Sequence, residues 1–185
     1  MVDFRGVDAY HFSIMSVTLP SSVDAWREVR ARRSFQGQLP VSAFARLGEV
    51  IASPEGEVSY ELDFGRDEFN IAYVAVRAKA MLTVICQRSL EPFVLPVEID
   101  TRLGLIVRES DESALPPGYE ALLVEEDGKL NPAATIEDEL LLALPLVPVN
   151  PDYELPDDMV GTDEEEELPP ETSENPFAAL RGLLK

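Results

Sequence analysis

The chain has 185 residues, of which 35 are acidic and 15 basic, and its formal net charge is −20 at pH 7. A chain this acidic repels phosphate, which argues against strong non-specific binding to nucleic acid. With one cysteine, Cys86, and one histidine, His11, a single chain can form neither an internal disulfide nor a Cys/His zinc site.

The length predicts one domain plus an extension, and a hydrophobic content of 45% is ordinary for a folded protein. The first twenty residues place acids and a histidine among apolar positions, which is not the pattern of a signal peptide. No apolar run approaches the ~20 residues that a membrane span needs. We therefore expect a cytoplasmic protein with no membrane contact.

The first predicted element is a helix that begins directly after residue 20, with Ser21 or Ser22 as its cap. Its apolar residues are three apart, at Val23, Trp26 and Val29. The same helix carries the main local excess of positive charge in the chain, which consists of Arg27, Arg30, Arg32 and Arg33.

This arginine-rich helix has two interpretations. Arginines beside Trp26 could contact RNA, with the phosphates paired by charge and a base stacked on the indole. Alternatively, Trp26 packs in the core and the arginines form its solvated border, which is the interpretation we favour. The spacing also predicts that Glu28 pairs with Arg32 and Asp24 with Arg27, which would partly neutralise the helix.

The next segments predict a second helix and then a sheet. Residues 35–40 are interpreted as the end of the first helix, and a second helix from about Ser42 places Phe44, Leu47 and Ile51 on one side. From Gly56 the apolar residues recur every second position. This predicts a long antiparallel hairpin over residues 58–85 with its turn at 65–67, followed by strands at 95–99 and 103–107 and a short edge strand at 119–124.

The last element of the folded part is a helix that ends at Pro145. The sequence Thr135-Ile136-Glu137-Asp138 is a variant capping box, which would place Glu137, Asp138 and Glu139 in the first turn. The sequence therefore predicts an α+β domain over residues 1–150, with an antiparallel sheet and flanking helices.

The remaining residues carry most of the acidity. Residues 151–175 contain eleven acids and no base, which predicts an acidic disordered tail. Residues 176–185 are a short helix-prone motif with Phe177, Leu180 and Leu184 at helical spacing. We expect a basic protein partner to be bound by this motif and by two groups of acids, which are Glu137, Asp138, Glu139 and then Asp163, Glu164, Glu165, Glu166 and Glu167.

Enzyme chemistry has little support in the sequence. Cys86 could pair with His11 as nucleophile and base, but no nucleophile-turn motif is present and Cys86 is typical of a small buried residue. The acids at 137–139 could hold Mg²⁺ in an RNA-processing enzyme, but capping explains them. We predict no cofactor, no catalytic residue and no small-molecule substrate.

Four blocks of the sequence, in order, resemble the bacterial YceD family, which is named for large ribosomal RNA subunit accumulation. They are Ile85-Cys86-Gln87-Arg88, Glu91-Pro92-Phe93, the segment from Ile136 to Val149 with Pro145 and Pro148, and Asn175-Pro176-Phe177-Ala178-Ala179-Leu180. The arginine-rich helix followed by Phe35-Gln36-Gly37 is also similar to the first half of that family.

The resemblance implies a role in the production or stability of 23S rRNA and no known catalytic activity. Members of the family commonly have Cys-x-x-Cys at Cys86–Ser89 and further ligands near Asn150 and Tyr153, so the resemblance also implies that a zinc site is missing here. We therefore expect a non-enzymatic factor that holds a basic ribosomal or RNA-processing protein, with rRNA as a second partner. The alternatives are a metal-dependent RNA-processing enzyme and a stand-alone RNA-binding module.

Overall fold

The computed structural model describes residues 19–153 of the chain. They form a five-stranded sheet, a two-stranded ribbon and three helices. The strand order of the sheet is β2 (Ser34–Pro40), β3 (Glu57–Arg66), β4 (Ala72–Ile85), β5 (Pro92–Ile106) and β6 (Glu120–Leu123), and the ribbon consists of β1 (Val23–Asp24) and β7 (Lys129–Leu130). The predicted α+β class is confirmed. The predicted tail and terminal motif, residues 154–185, lie outside the described residues, and so does His11. The boundary predicted at residue 150 stays a prediction.

The first helix, α1 (Ala25–Ala31), begins later than predicted. Its cap is Asp24, whose Oδ1 accepts a hydrogen bond of 2.9 Å from the Arg27 amide. The serine cap was therefore wrong. The two residues before the helix belong to the ribbon, because β1 (Val23–Asp24) pairs with β7 (Lys129–Leu130).

Residues 35–40 form a strand and not the predicted end of a helix. In β2 (Ser34–Pro40), Phe35 pairs with Leu62 and Gly37 with Tyr60 in β3. A side chain at Gly37 would meet the Tyr60 hydroxyl at 2.8 Å from its Cβ, so glycine is needed for the tyrosine to lie across this strand. The segment was interpreted as the end of the first helix because the role of Gly37 in packing is visible only across the strands.

The second helix is shorter than predicted. A 3₁₀ turn at Val41–Ala43 precedes α2 (Ala45–Val50), which buries Leu47 and follows the buried Phe44. Ile51, also assigned to this face, packs against the core just beyond the helix.

The predicted hairpin is confirmed as β3 (Glu57–Arg66) and β4 (Ala72–Ile85). Its turn lies at residues 67–71, later than predicted. The Asp67 carboxylate fixes this turn, because its Oδ1 accepts hydrogen bonds from the Phe69 amide at 3.0 Å and the Ile71 amide at 2.8 Å.

The next strand, β5 (Pro92–Ile106), is continuous where two strands were predicted. Its inward residue Thr101 interrupts the apolar alternation, because its hydroxyl donates a hydrogen bond of 2.9 Å to Glu139. The edge strand predicted at 119–124 is confirmed as β6 (Glu120–Leu123), which pairs in parallel with β5.

The last helix is α3 (Pro132–Ala143), and its N-cap is Asn131. The Asn131 Oδ1 accepts hydrogen bonds from the amides of Ala133 and Ala134, at 3.1 and 3.2 Å, and Pro132 occupies the first turn, where no amide is needed. The predicted capping box at Thr135 is therefore wrong, and the acids at 137–139 lie in the middle of the helix.

The core lies between the three helices and one face of the sheet. Alternate residues of β3 and β4 and four residues of β5 contribute to it, together with Ala25 and Val29 of α1 and Ile136 and Leu140 of α3. We call this the inner face of the sheet, and the opposite face the outer face. Within residues 19–153, no helix combines the length and the apolar character needed to cross a bilayer.

Candidate interaction surfaces

The four arginines predicted on the first helix form the first candidate surface, but only Arg27 and Arg30 lie within α1, whereas Arg32 is its C-cap and Arg33 follows it. All four side chains are exposed, and the helix ends because Arg32 adopts a left-handed conformation with φ 49°. Neither predicted ion pair is present. Glu28 instead lies 4.0 Å from the Arg33 Nε, and Asp24 caps the helix. Among the described residues, Arg27, Arg30 and Arg32 therefore have no acidic partner.

Trp26 belongs to the edge of the core. It is half-buried and packs against the buried cluster, and a Cβ at Gly128 would lie 3.1 Å from its Cδ1 atom. Gly128 has a φ of 76° and accepts a hydrogen bond from the Ala25 amide, so the turn closes over the indole. The packing interpretation of Trp26 is confirmed, whereas its contact with RNA stays a prediction.

The acids of α3 were expected to face a partner, but Glu137 has a role inside the fold. Its Oε1 accepts hydrogen bonds from the backbone amides of Arg46 at 2.7 Å and Leu47 at 3.1 Å. These are free amides at the start of α2, which has no side-chain cap of its own. Glu137 is therefore the cap of another helix, 90 residues away in the sequence.

The charge of Glu137 is balanced by Arg46, whose Nη2 lies 2.9 Å from its Oε2. Burial alone would disfavour the carboxylate, but the Leu47 amide and Arg46 together lower the pKa of Glu137. Asp138, which is half-exposed, accepts from the Arg46 Nη1 at 2.6 Å. Sequence reasoning missed Arg46, although it is the one base in the predicted second helix.

Glu139 faces the sheet and has a different environment. Its side chain is buried and accepts one hydrogen bond, from Thr101. Burial raises the pKa of Glu139, and the charges of Glu120 and Asp138 act in the same direction. Among the acids assigned to a partner on α3, only Asp138 is substantially exposed.

Cys86 lies at the tip of the hairpin formed by β4 and β5. Its side chain is fully buried, and its sulfur accepts hydrogen bonds from the Asn150 amide at 3.3 Å and the Ser89 amide at 3.5 Å. These bonds, the one from Asn150 first, lower the pKa of Cys86 to about 6. The Gln87 amide donates to the Pro148 carbonyl at 2.8 Å, so the segment after α3 is tied to the tip.

The structure thus brings together Cys86, Ser89 and Asn150, three positions that the family resemblance associates with metal ligands. Among residues 19–153, no three side chains of His, Cys, Asp or Glu are grouped so that they could hold a metal ion. Of the other two motif residues, Arg88 has an exposed side chain at the tip, while its backbone also contributes to the lowered pKa of Cys86, and Pro145 follows α3. The acids at 163–167 and the residues Phe177, Leu180 and Leu184 lie outside the described residues.

Two comparisons with known proteins identify the same family. The family model described as large ribosomal RNA subunit accumulation protein YceD matches residues 74–184, which include most of β4 and all of β5 and α3. The protein of that name from Haemophilus influenzae is 27% identical over 176 residues, which cover 92% of this chain and 98% of the relative. No solved structure matches the chain.

Proposed function

Because the chain belongs to the YceD family, we propose that it is a non-enzymatic accessory factor for the accumulation of 23S rRNA and for the biogenesis of the large ribosomal subunit. The observation that carries this proposal is the length of the similarity. It extends over 92% of this chain and 98% of the relative named for large ribosomal RNA subunit accumulation.

We further propose that the factor acts by holding a basic ribosomal or RNA-processing protein. Residues 96–185 carry 23 acids and five bases, and an acidic surface attracts basic partners before contact. The exposed arginines of α1 and its C-cap are available for a second contact, with rRNA, because Arg27, Arg30 and Arg32 have no ion pair among the described residues.

The alternative of a metal-dependent nuclease loses its best candidate residues in the described part of the chain. Glu137 caps α2 and forms an ion pair with Arg46, and Glu139 is buried and accepts a hydrogen bond from Thr101. Incubation of the purified protein with precursor rRNA and Mg²⁺ tests this directly. Cleavage that is lost on Glu137→Gln and Glu139→Gln, in variants that remain folded, would contradict a non-enzymatic role.

The main experiment is deletion of the gene followed by measurement of the ratio of 23S to 16S rRNA. We expect the ratio to fall and a plasmid copy of the gene to restore it. An unchanged ratio would remove the proposed role. Pull-down with the full chain at low and high salt tests the mode of action, and we expect basic ribosomal or RNA-processing proteins at low salt only.

A further inference from the structure

The outer face of the sheet changes character along the β4–β5 hairpin. In the middle of the sheet, the outward pairs are charged: Arg77 lies opposite Asp100, and Lys79 opposite Glu98. Towards the tip, the outward residues are apolar or uncharged for three consecutive pairs. We call five of them the apolar pad, which consists of Met81, Ile85, Pro92, Val94 and Pro96.

The apolar pad is uncovered within residues 19–153. Met81 is 59% exposed and Val94 54%, although both lie on long, regular strands. β3 does not shield this region, since its pairing with β4 ends at Val58 and Ala80. Single exposed apolar residues need no explanation, but a contiguous group on a rigid hairpin is typical of a protein contact.

The outward strand positions beside the pad carry more negative charges than positive ones. Between the tip and the Tyr73 end, the outward positions of β3, β4 and β5 carry five carboxylates and three bases. Each base already has an internal partner. Arg77 pairs with Glu61 and Asp63, and Lys79 with Glu98 at 2.6 Å.

The third base, Arg102, is held by aromatic rings. Its guanidinium lies 4.8 Å from the centre of the Tyr73 ring and 5.6 Å from that of Tyr119. By contrast, the exposed side chains of Glu57 and Asp100 make no hydrogen bond or salt bridge among the described residues, although the charge of Asp100 acts on Arg77 in the neighbouring strand. Between the tip and the Tyr73 end, the outward strand positions therefore carry unpaired negative charge and no unpaired positive charge, which suits a basic ligand and does not suit a phosphate backbone.

We propose that the outer face of the β4–β5 hairpin is the docking surface for a basic segment of the partner protein, with an apolar side chain of that segment on the pad and its bases towards Glu57 and Asp100. This inference rests on the proposed function and assigns its partner contact to the folded domain. Val94 and Asp100 are six residues apart on one strand, or about 20 Å. An extended segment of about six residues would span them.

The test uses two valines of equal exposure. Val94 lies in the pad, whereas Val107, also 54% exposed, follows the far end of β5 about 40 Å away. Val94→Lys removes the apolar contact and repels a basic ligand. Val107→Lys changes the net charge of the chain by the same amount, so effects on the acidic C-terminal half are matched. Met81→Lys is a second variant in the pad.

Each variant is expressed as the full chain in the deletion strain, and the ratio of 23S to 16S rRNA is measured. We expect Val107→Lys to restore the ratio as the wild type does, and both pad variants to lose that rescue while keeping the wild-type thermal unfolding midpoint. Full rescue by both pad variants would overturn the docking surface and leave the proposed function intact. If deletion itself does not change the ratio, the proposed function fails.

Photo-crosslinking tests the surface independently of that phenotype. A photoreactive amino acid is placed at position 81 or, as the control, at position 107 of the full chain in cells. We expect position 81 alone to crosslink, and to a protein with a strongly basic segment at the linked site. Crosslinks at position 81 to RNA, to a second copy, to residues 154–185 of the same chain or to an acidic protein would overturn the proposal, as would equal crosslinking from both positions.

Discussion

Helices α1 and α3 both carry a cluster of like charges, but the fold uses the two clusters in opposite ways. In α1, Arg27 and Arg30 are exposed and unpaired within the described residues. In α3, Glu137 and Glu139 are buried and each has a defined partner. The comparison shows that a charge cluster in a sequence indicates a binding surface only if the fold does not need those charges itself.

The largest effect is expected on removal of the α3 carboxylate that caps α2. Glu137→Ala leaves the Arg46 and Leu47 amides without an acceptor, and the Leu47 amide is buried. We expect the free energy of unfolding to fall by about 2–3 kcal/mol, the combined cost of removing a helix cap and the hydrogen bonds to a charged group. Urea denaturation measures this change.

The matched control is Asp138→Ala on the next residue. Asp138 also contacts Arg46 but is half-exposed, so we expect a change of about 0.5 kcal/mol or less. Equal destabilisation by the two variants would show that Glu137 is not the cap of α2.

Replacement of Glu139 is expected to change the free energy of unfolding less than replacement of Glu137, and in the opposite direction. Burial raises the pKa of Glu139 above its ordinary value of 4.5, so the folded state binds the proton more tightly than the unfolded state. The resulting stability is present below pH 4.5 and is lost as the pH rises through the pKa of the folded state. We expect Glu139→Gln, which stays neutral and can still accept the Thr101 hydroxyl, to be more stable than the wild type at pH 8.

Urea denaturation of both proteins at a series of pH values from 8 to 5 checks the sign. The advantage of Glu139→Gln should shrink as the pH falls, because the wild-type carboxylate becomes protonated in the folded state. Glu137→Gln should be less stable than the wild type by the same amount throughout this range, because the lowered pKa of Glu137 keeps its stabilising charge until the pH falls below 4.5. A constant advantage of Glu139→Gln at every pH would contradict the assignment.

The smallest effect on stability is expected in α1. The double variant Arg27→Ala with Arg30→Ala should change the free energy of unfolding by no more than about 0.5 kcal/mol, since neither side chain has a partner in the described fold. If α1 binds RNA, the dependence of log binding constant on log salt concentration should become shallower by about 0.7 for each phosphate that the variant no longer neutralises.

A control with the same loss of charge is Arg88→Ala with Arg108→Ala, at exposed positions outside α1. Filter binding of both double variants to a 23S rRNA fragment makes the comparison. An equal loss of affinity would mean that only net charge matters, and no loss in the α1 variant would remove the RNA contact.

Much of the sheet is predictable because its signal is local. The alternation of apolar residues from Val58 to Val84 gives the hairpin and its inner face directly. The elements that were predicted incorrectly depend on residues distant in the sequence. The start of α1 depends on the pairing of β1 with β7, and the strand β2 is recognisable as such only next to Tyr60.

The interaction surfaces are predictable to a lesser degree. The exposure of the α1 arginines follows from helical spacing, and so does the packing of Trp26. The role of Glu137 as a helix cap could not be predicted from the sequence. Its partners are backbone amides at the start of another helix, and backbone amides leave no trace in the sequence. The apolar pad was also missed, since its residues continue the alternation and only the end of β3 exposes them.

The ribbon of β1 and β7 has a consequence for how the protein folds. Val23 pairs with Leu130, more than a hundred residues later, whereas β2, β3, β4 and β5 pair with neighbours in the chain. Local pairings lose less chain entropy and form sooner. During synthesis the sheet is therefore expected to assemble first, and the arginine helix to be fixed only after the ribosome has released the segment that pairs with it.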